Sequence, residues 1–121
     1  MTCEPVFEES ASHLLELGHA VRFRVHGRSM KPAICDGDTV EVEPINPSDL
    51  HPGEVVLFRR DNGRLVVHRV TYIVTSADHV LLTTRGDNLT YSDGVVCGDQ
   101  ILPRVRVVSR GAPRWLPRLP N

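Results

Sequence analysis

The sequence lacks a long apolar run. Its longest uninterrupted apolar stretches, such as residues 55–58 and 80–82, are far shorter than the roughly 20 residues that a bilayer-spanning helix needs. Residues 1–9 are acidic and contain no basic region followed by an apolar one, which is unlike a secretory signal. These absences predict a soluble, cytoplasmic protein without a transmembrane segment.

An excess of charge of one sign is also absent. The chain has 14 basic and 15 acidic side chains, interspersed, and a formal net charge of -1. Such a balance creates no field that would gather nucleic acid or an anionic membrane, so we expect peptide or protein partners and no nucleic acid. Trp115, Leu116 and Leu119 lie among arginines and allow a weak contact with a membrane surface. The sequence leaves the oligomeric state open.

Cysteine is scarce. Cys3, Cys35 and Cys97 are odd in number, and no two of them have the CxxC spacing. This pattern indicates ordinary reduced thiols and argues against both a disulfide framework and a zinc site. No metal or organic cofactor is predicted.

What is present fits one compact domain, because 121 residues with 40% hydrophobic content can bury a single core. Apolar residues at helical spacing predict one amphipathic helix over residues 6–17. The period then changes to two, which predicts a β core over about residues 20–109, followed by a Pro- and Arg-rich tail over 110–121. The expected strands cover 21–26, 39–43, 54–60, 64–74, 79–84 and 100–109, with a hairpin turn at 61–63 and a long loop at 85–98.

Ser29 follows the end of the first predicted strand and precedes a turn that contains Pro32 and Gly37. Rigid backbone of this kind can expose a hydroxyl nucleophile and direct neighbouring amides at an incoming carbonyl. A serine before a turn is also commonly a capping residue, so its position alone leaves both the catalytic and the capping interpretation open.

His68 lies on a predicted strand whose alternation places it on the same face as Val66 and Val70. A histidine there is often a satisfied core residue, but beside a serine it can remove the hydroxyl proton near neutral pH. Asp87 and Asp93 lie in polar turns where each can bond its own backbone. Either can instead hold the far ring nitrogen of His68 and stabilise the imidazolium.

Together these motifs resemble the signal peptidase I family, and within it the serine-histidine branch of the endoplasmic reticulum, archaea and some Gram-positive bacteria. The same scaffold is similar to that of self-cleaving repressor peptidases. The resemblance implies a mostly β fold, a small mixed β-barrel with a β-ribbon and one N-terminal helix. The matching motifs run in the family's order across residues 21–108, at 27–32, 36–42, 52–58, 66–70 and 83–88.

The resemblance implies that Ser29 is the nucleophile, His68 the general base and Asp93 the acid, with Asp87 as a competing candidate for the acid. Repressor-type and common bacterial signal peptidases have a lysine in place of the histidine. The single lysine of this chain, Lys31, lies two residues after the serine and is a poor candidate for the base. Signal peptidases often have a hydroxyl two positions before the serine, where this chain has glycine. The expected oxyanion donor is therefore the Ser29 backbone amide.

The predicted function is that of a soluble serine endopeptidase that cleaves an extended peptide segment through an acyl-enzyme on Ser29. The alternative is a catalytically silent peptide-binding module on the same fold. A silent module has no need to keep a serine, a histidine and an acid together, and this favours the enzyme. The sensor domain of a self-cleaving repressor is disfavoured, because the 28 residues before Ser29 leave no room for a helix-turn-helix.

Overall fold

The computed structural model of the protein describes residues 1–5 and 17–110. Its regular structure is almost entirely β, with two short 3-10 turns at Pro47–Asp49 and Gly98–Gln100. This confirms the prediction of a mostly β protein. The strands are β1 (Thr2–Pro5), β2 (Val21–His26), β3 (Thr39–Pro44), β4 (Val55–Arg59), β5 (Leu65–Thr75), β6 (Val80–Arg85), β7 (Val95–Cys97) and β8 (Ile101–Ser109).

The described strands form one sheet in the order β1-β2-β3-β8-β4-β5-β6-β7, and their pairings are antiparallel. A further pairing joins β1 to β5 through Thr2 and Val66. This pairing closes the strands from β1 to β5 in the sheet order into a small barrel. The remaining strands, β6 and β7, extend from β5 as a ribbon.

Two hydrophobic cores lie on opposite faces of β5. Val67 packs in the barrel core, whereas Val66 and Val70 pack in a second core against the ribbon, because successive side chains of a strand point to opposite faces. His68 lies on the face of the second core, as the alternation predicted, with its ring centroid 6.3 Å from that of Phe58. This two-sided burial explains why the β5 sequence is apolar at consecutive positions.

The β4–β5 hairpin forms where the sequence predicted it. The amide of Arg60 donates to the carbonyl of Arg64 at 2.8 Å, and Gly63 adopts a φ of +86°. Glycine adopts this left-handed conformation without the steric cost that other residues incur. The hairpin register pairs Val56 with His68 and so fixes the position of the imidazole along the strand direction of the sheet.

Two described strands were not predicted. β7 lies within the predicted loop 85–98, and β1 lies in the acidic N-terminal stretch. Both are too short to show a clear period of two, so their strand character depends on the partners β6 and β2. The predicted helix over 6–17 and the tail over 110–121 lie outside the described residues, apart from Leu17 and Arg110. None of the helical segments in residues 1–5 and 17–110 is long and apolar enough to cross a membrane.

Candidate active site

Ser29 is held by a turn over residues 27–38, here called the Ser29 turn, which connects β2 to β3. The amide of Val25 donates to the carbonyl of Asp38, and the amide of Gly37 donates to the carbonyl of Val25, each at 2.9 Å. The side chain of Met30, next to the serine, is buried in the barrel core. The serine is therefore attached to backbone that is fixed at both ends of the turn.

Gly27 opens the Ser29 turn in a conformation that suits glycine. Its φ is +113°, and its amide donates to the Asp36 carboxylate at 2.8 Å. A serine or threonine would adopt this backbone conformation only with strain. The absence of a hydroxyl at this position therefore has a local structural cause.

The structure brings Ser29, His68 and Asp93 together. Ser29 Oγ lies 2.9 Å from His68 Nε2, and His68 Nδ1 lies 2.6 Å from Asp93 Oδ2. The side chains of His68 and Asp93 are each 2% exposed. An ionised carboxylate can only accept hydrogen bonds, so Nδ1 carries the proton and Nε2 is left to accept the serine hydroxyl.

Asp93 is a buried carboxylate with three donors. Besides His68, Thr84 Oγ1 donates to Oδ2 at 2.7 Å, and Arg60 Nη2 donates to Oδ1 at 2.7 Å. Burial raises the pKa of Asp93, but the hydrogen bonds from His68, Thr84 and Arg60 outweigh that effect and hold the pKa at about 2. The group beside the imidazole is therefore an anion at neutral pH.

Asp87, the competing acid, has a different partner. Both of its carboxylate oxygens accept from the guanidinium of Arg69, from Nε at 2.8 Å and from Nη2 at 2.7 Å. These hydrogen bonds lower the pKa of Asp87. Arg69 also donates to the carbonyl of Gly53 at 2.8 Å. The Asp87 carboxylate thus ties the loop to β5, whereas the Asp93 carboxylate contacts the ring of His68.

Gly86 lets the loop after β6 pack against the serine and the histidine. A Cβ atom at this position would lie 2.6 Å from the carbonyl oxygen of Ser29 and 3.0 Å from His68 Nε2. The amide of Asn88 donates to the same carbonyl oxygen at 2.8 Å. Any larger residue at position 86 would displace the two groups, so this glycine is needed for space.

Sequence reasoning missed Arg60, Thr84 and Gly86 as members of the site. Within the Gly-Asp-Asn motif at residues 86–88, the sequence analysis considered only Asp87. In the structure it is Gly86 that lies against the Ser29 turn. Arg60 stands beside the hairpin turn and gives no local sign of its contact with Asp93, which is 33 positions away. The pairings of β4 with β5 and of β5 with β6 together bring these residues to the site.

A further polar group at Ser29 is the α-amino group of Met1. It donates to Ser29 Oγ at 2.6 Å and lies 3.2 Å from His68 Nε2. Lys31, by contrast, lies on the exposed side of the Ser29 turn. Within residues 1–5 and 17–110, no group of three or more histidine, cysteine or acidic side chains could hold a metal ion.

Comparison with known families identifies the family of the chain. The family model described as "Peptidase S24-like" matches residues 7–105, a span that contains Ser29, His68 and Asp93. The chain belongs to the peptidase S24-like family. Signal peptidase I W of Bacillus subtilis (strain 168) is 33% identical to this S24-like chain over 73 residues. The alignment covers 60% of the chain and 38% of that relative, so the chain spans well under half of the relative's length.

These matches connect the chain with the peptidase S24-like family and with a signal peptidase, the family that its motifs resemble. The narrower assignment to the serine-histidine branch stays a prediction.

Proposed function

We propose that this S24-like protein is a serine endopeptidase of the serine-histidine-aspartate type. The observation that carries the proposal is the continuous hydrogen-bonded series from Ser29 Oγ through His68 to the ionised Asp93. Because a histidine contacts the serine where repressor-type relatives have a lysine, the site also favours the serine-histidine branch of the signal peptidases.

In the acylation step, Ser29 Oγ attacks the carbonyl carbon of the scissile bond while His68 Nε2 accepts the hydroxyl proton. The Asp93 carboxylate stabilises the imidazolium that forms. The imidazolium then donates its proton to the leaving amine, the carbon–nitrogen bond breaks, and an acyl-enzyme remains on Ser29. Water hydrolyses the ester, with His68 accepting a proton from the water and returning one to Oγ.

The oxyanion of the tetrahedral intermediate needs a donor close to Oγ. Among the backbone hydrogen bonds of the described ranges, none has the Ser29 amide as its donor. Gly27 has no side chain to contribute. We therefore assign the Ser29 amide to the oxyanion.

The substrate is proposed to be an extended polypeptide. The relative's name, signal peptidase, points to cleavage of a peptide segment, which an extended polypeptide provides. Peptide recognition without chemistry, as in a silent module, would need such a polypeptide but not the hydrogen-bonded series.

The test is labelling with a serine-reactive phosphonate, followed by intact mass and peptide mapping. We expect a label on Ser29 that is lost in Ser29→Ala and in His68→Ala, while both variants keep the native circular dichroism spectrum. Two controls should label like the native chain: Ser48→Ala, an exposed turn serine, and Lys31→Ala. A folded native chain that takes no label on Ser29 in prolonged incubation would indicate the silent module. Loss of labelling in Lys31→Ala as severe as in Ser29→Ala would indicate a lysine base.

A further inference from the structure

The loop that follows β6 is tied to the Ser29 turn at its start. The amide of Asn88 donates to the carbonyl of Ser29 at 2.8 Å, and Asn88 Nδ2 donates to the carbonyl of Arg28 at 3.1 Å. The amide of Asp87 donates to the sulfur of Met30 at 3.4 Å. A side chain on this part of the loop therefore has a fixed position relative to the nucleophile, as the selection of a substrate requires.

Leu89 brings an apolar side chain from this loop to Ser29 and His68. A Cβ atom at Gly86 would lie 3.0 Å from Leu89 Cδ1 and also 3.0 Å from His68 Nε2. The same point is 2.6 Å from the carbonyl oxygen of Ser29. The amide of Leu89 donates to the carbonyl of Gly86 at 2.9 Å, and the leucine stays partly exposed. Its methyl group therefore lies beside the imidazole nitrogen that transfers the proton, where one more carbon atom does not fit.

The geometry of acylation brings the departing amine to this part of the molecule. The amide of Ser29 is assigned to the oxyanion, whereas its carbonyl, on the other side of Cα, accepts from Asn88. The amine that leaves has to come within about 3 Å of His68 Nε2 to accept its proton. The first side chain after the scissile bond begins two bonds beyond that nitrogen, so it has to fit beside Leu89.

We infer that Leu89 is a specificity-determining residue that limits the position after the scissile bond to a small side chain, as in glycine, alanine or serine. This inference rests on the proposed peptidase function and adds a requirement on the substrate. A larger side chain at that position would have to push Leu89 aside. Because the loop is bonded to the carbonyls of Arg28 and Ser29, that movement would also disturb the nucleophile.

The test is cleavage of a mixture of peptides from a digested proteome, with their amino termini blocked beforehand and the new termini identified by mass spectrometry. We expect the native chain to cut mainly before glycine, alanine or serine. Leu89→Ala should raise the share of cuts before leucine, methionine or phenylalanine at least about tenfold, because it frees space beside His68 Nε2. Two controls should keep the native profile: Leu89→Met, which conserves volume, and Leu81→Ala, which truncates an exposed leucine of the ribbon.

The residue before the cut serves as an internal control. A purely structural role of Leu89 would lower all cuts alike, whereas the inference requires a change only after the cut. Leu89→Val should shift the profile in the same direction by less, and it replaces Leu89→Ala if circular dichroism shows that variant to be unfolded.

An unchanged profile in the folded variant would overturn the inference and leave the peptidase proposal standing. Labelling of Ser29 by the phosphonate without cleavage of any peptide would also overturn the inference, because no departing chain would then pass Leu89. Absence of both cleavage and Ser29 labelling in the native chain would instead overturn the peptidase proposal itself.

Discussion

The loop after β6 carries two carboxylates, Asp87 near its start and Asp93 near its end, and their surroundings differ. Asp87 is 21% exposed and is held by Arg69 through both carboxylate oxygens. Asp93 is 2% exposed and is shared among Arg60, Thr84 and His68. Each has an arginine partner and a lowered pKa, but only the buried one contacts the imidazole. Burial beside the histidine therefore distinguishes the proposed acid, Asp93, from Asp87, which ties the loop to β5.

Neutralising Asp87 and Asp93 in separate variants tests which carboxylate acts on the imidazole. Asp93→Asn should lower the single-turnover rate by about 10³- to 10⁴-fold, because an amide neither selects the required tautomer of His68 nor stabilises the imidazolium. Asp87→Asn should change that rate by less than about tenfold and act mainly on the melting temperature, since it weakens a partly exposed ion pair. A fully active Asp93→Asn beside an inactive, folded Asp87→Asn would reverse the assignment.

A second test uses the glycine at the start of the same loop. Gly86→Ala should lower the turnover rate by about 10²-fold, because the added Cβ displaces the Ser29 carbonyl and the His68 ring by a fraction of an ångström or more. Gly63→Ala is the matched control: it strains a positive φ but meets no atom within 4 Å, so it should lower the melting temperature without affecting the rate. A native turnover rate in Gly86→Ala would show that the loop does not position Ser29 and His68.

Arg60 and Arg69, the arginine partners of Asp93 and Asp87, provide a third test. Arg60→Gln removes a charged donor from Asp93, and we expect a loss of rate of about tenfold with partial rescue by Arg60→Lys. The His68 Nδ1 proton resonance should shift in Arg60→Gln, because the strength of the bond to Asp93 changes. Arg69→Gln should alter stability and leave this resonance in place. An unchanged resonance in Arg60→Gln would limit Arg60 to a structural role.

The smallest effect concerns stability at acid pH. The pKa of Asp93 is lowered from an ordinary 3.8 to about 2 in the folded protein, so the native state binds fewer protons than the unfolded state between these values. The resulting stabilisation, about 2 kcal/mol, is fully present above pH 4 or so and is lost as the pH falls towards about 2. Urea unfolding should show that the difference in unfolding free energy between the native chain and Asp93→Asn shrinks over that window. Asp87→Asn should show the same sign with a smaller change, because its ion pair is more exposed. A difference that is constant with pH would contradict the lowered pKa.

Local pattern was sufficient for much of the architecture. The period of two predicted the long strands, and the Asp-Asn-Gly turn predicted the hairpin, because strand alternation and turn conformation depend on neighbouring residues. The same alternation placed His68 on an apolar face. The short strands β1 and β7 escaped this reasoning, since they owe their conformation to the edges of β2 and β6.

The pattern of the sequence was sufficient to predict a mostly β fold and to suggest a serine, a histidine and an aspartate as candidate site residues. Its motifs made Ser29 and His68 the candidates for nucleophile and base, and favoured Asp93 as the acid with Asp87 as the competitor. Which carboxylate contacts the imidazole is visible only in the folded protein, because that contact spans 25 positions and depends on the register of β5 with β6. The approach of the Met1 amino group to Ser29, across 28 positions, likewise exists only once β1 has closed the barrel. Periodicity and turn chemistry act between near neighbours, whereas hydrogen bonds between distant side chains exist only after the strands have paired.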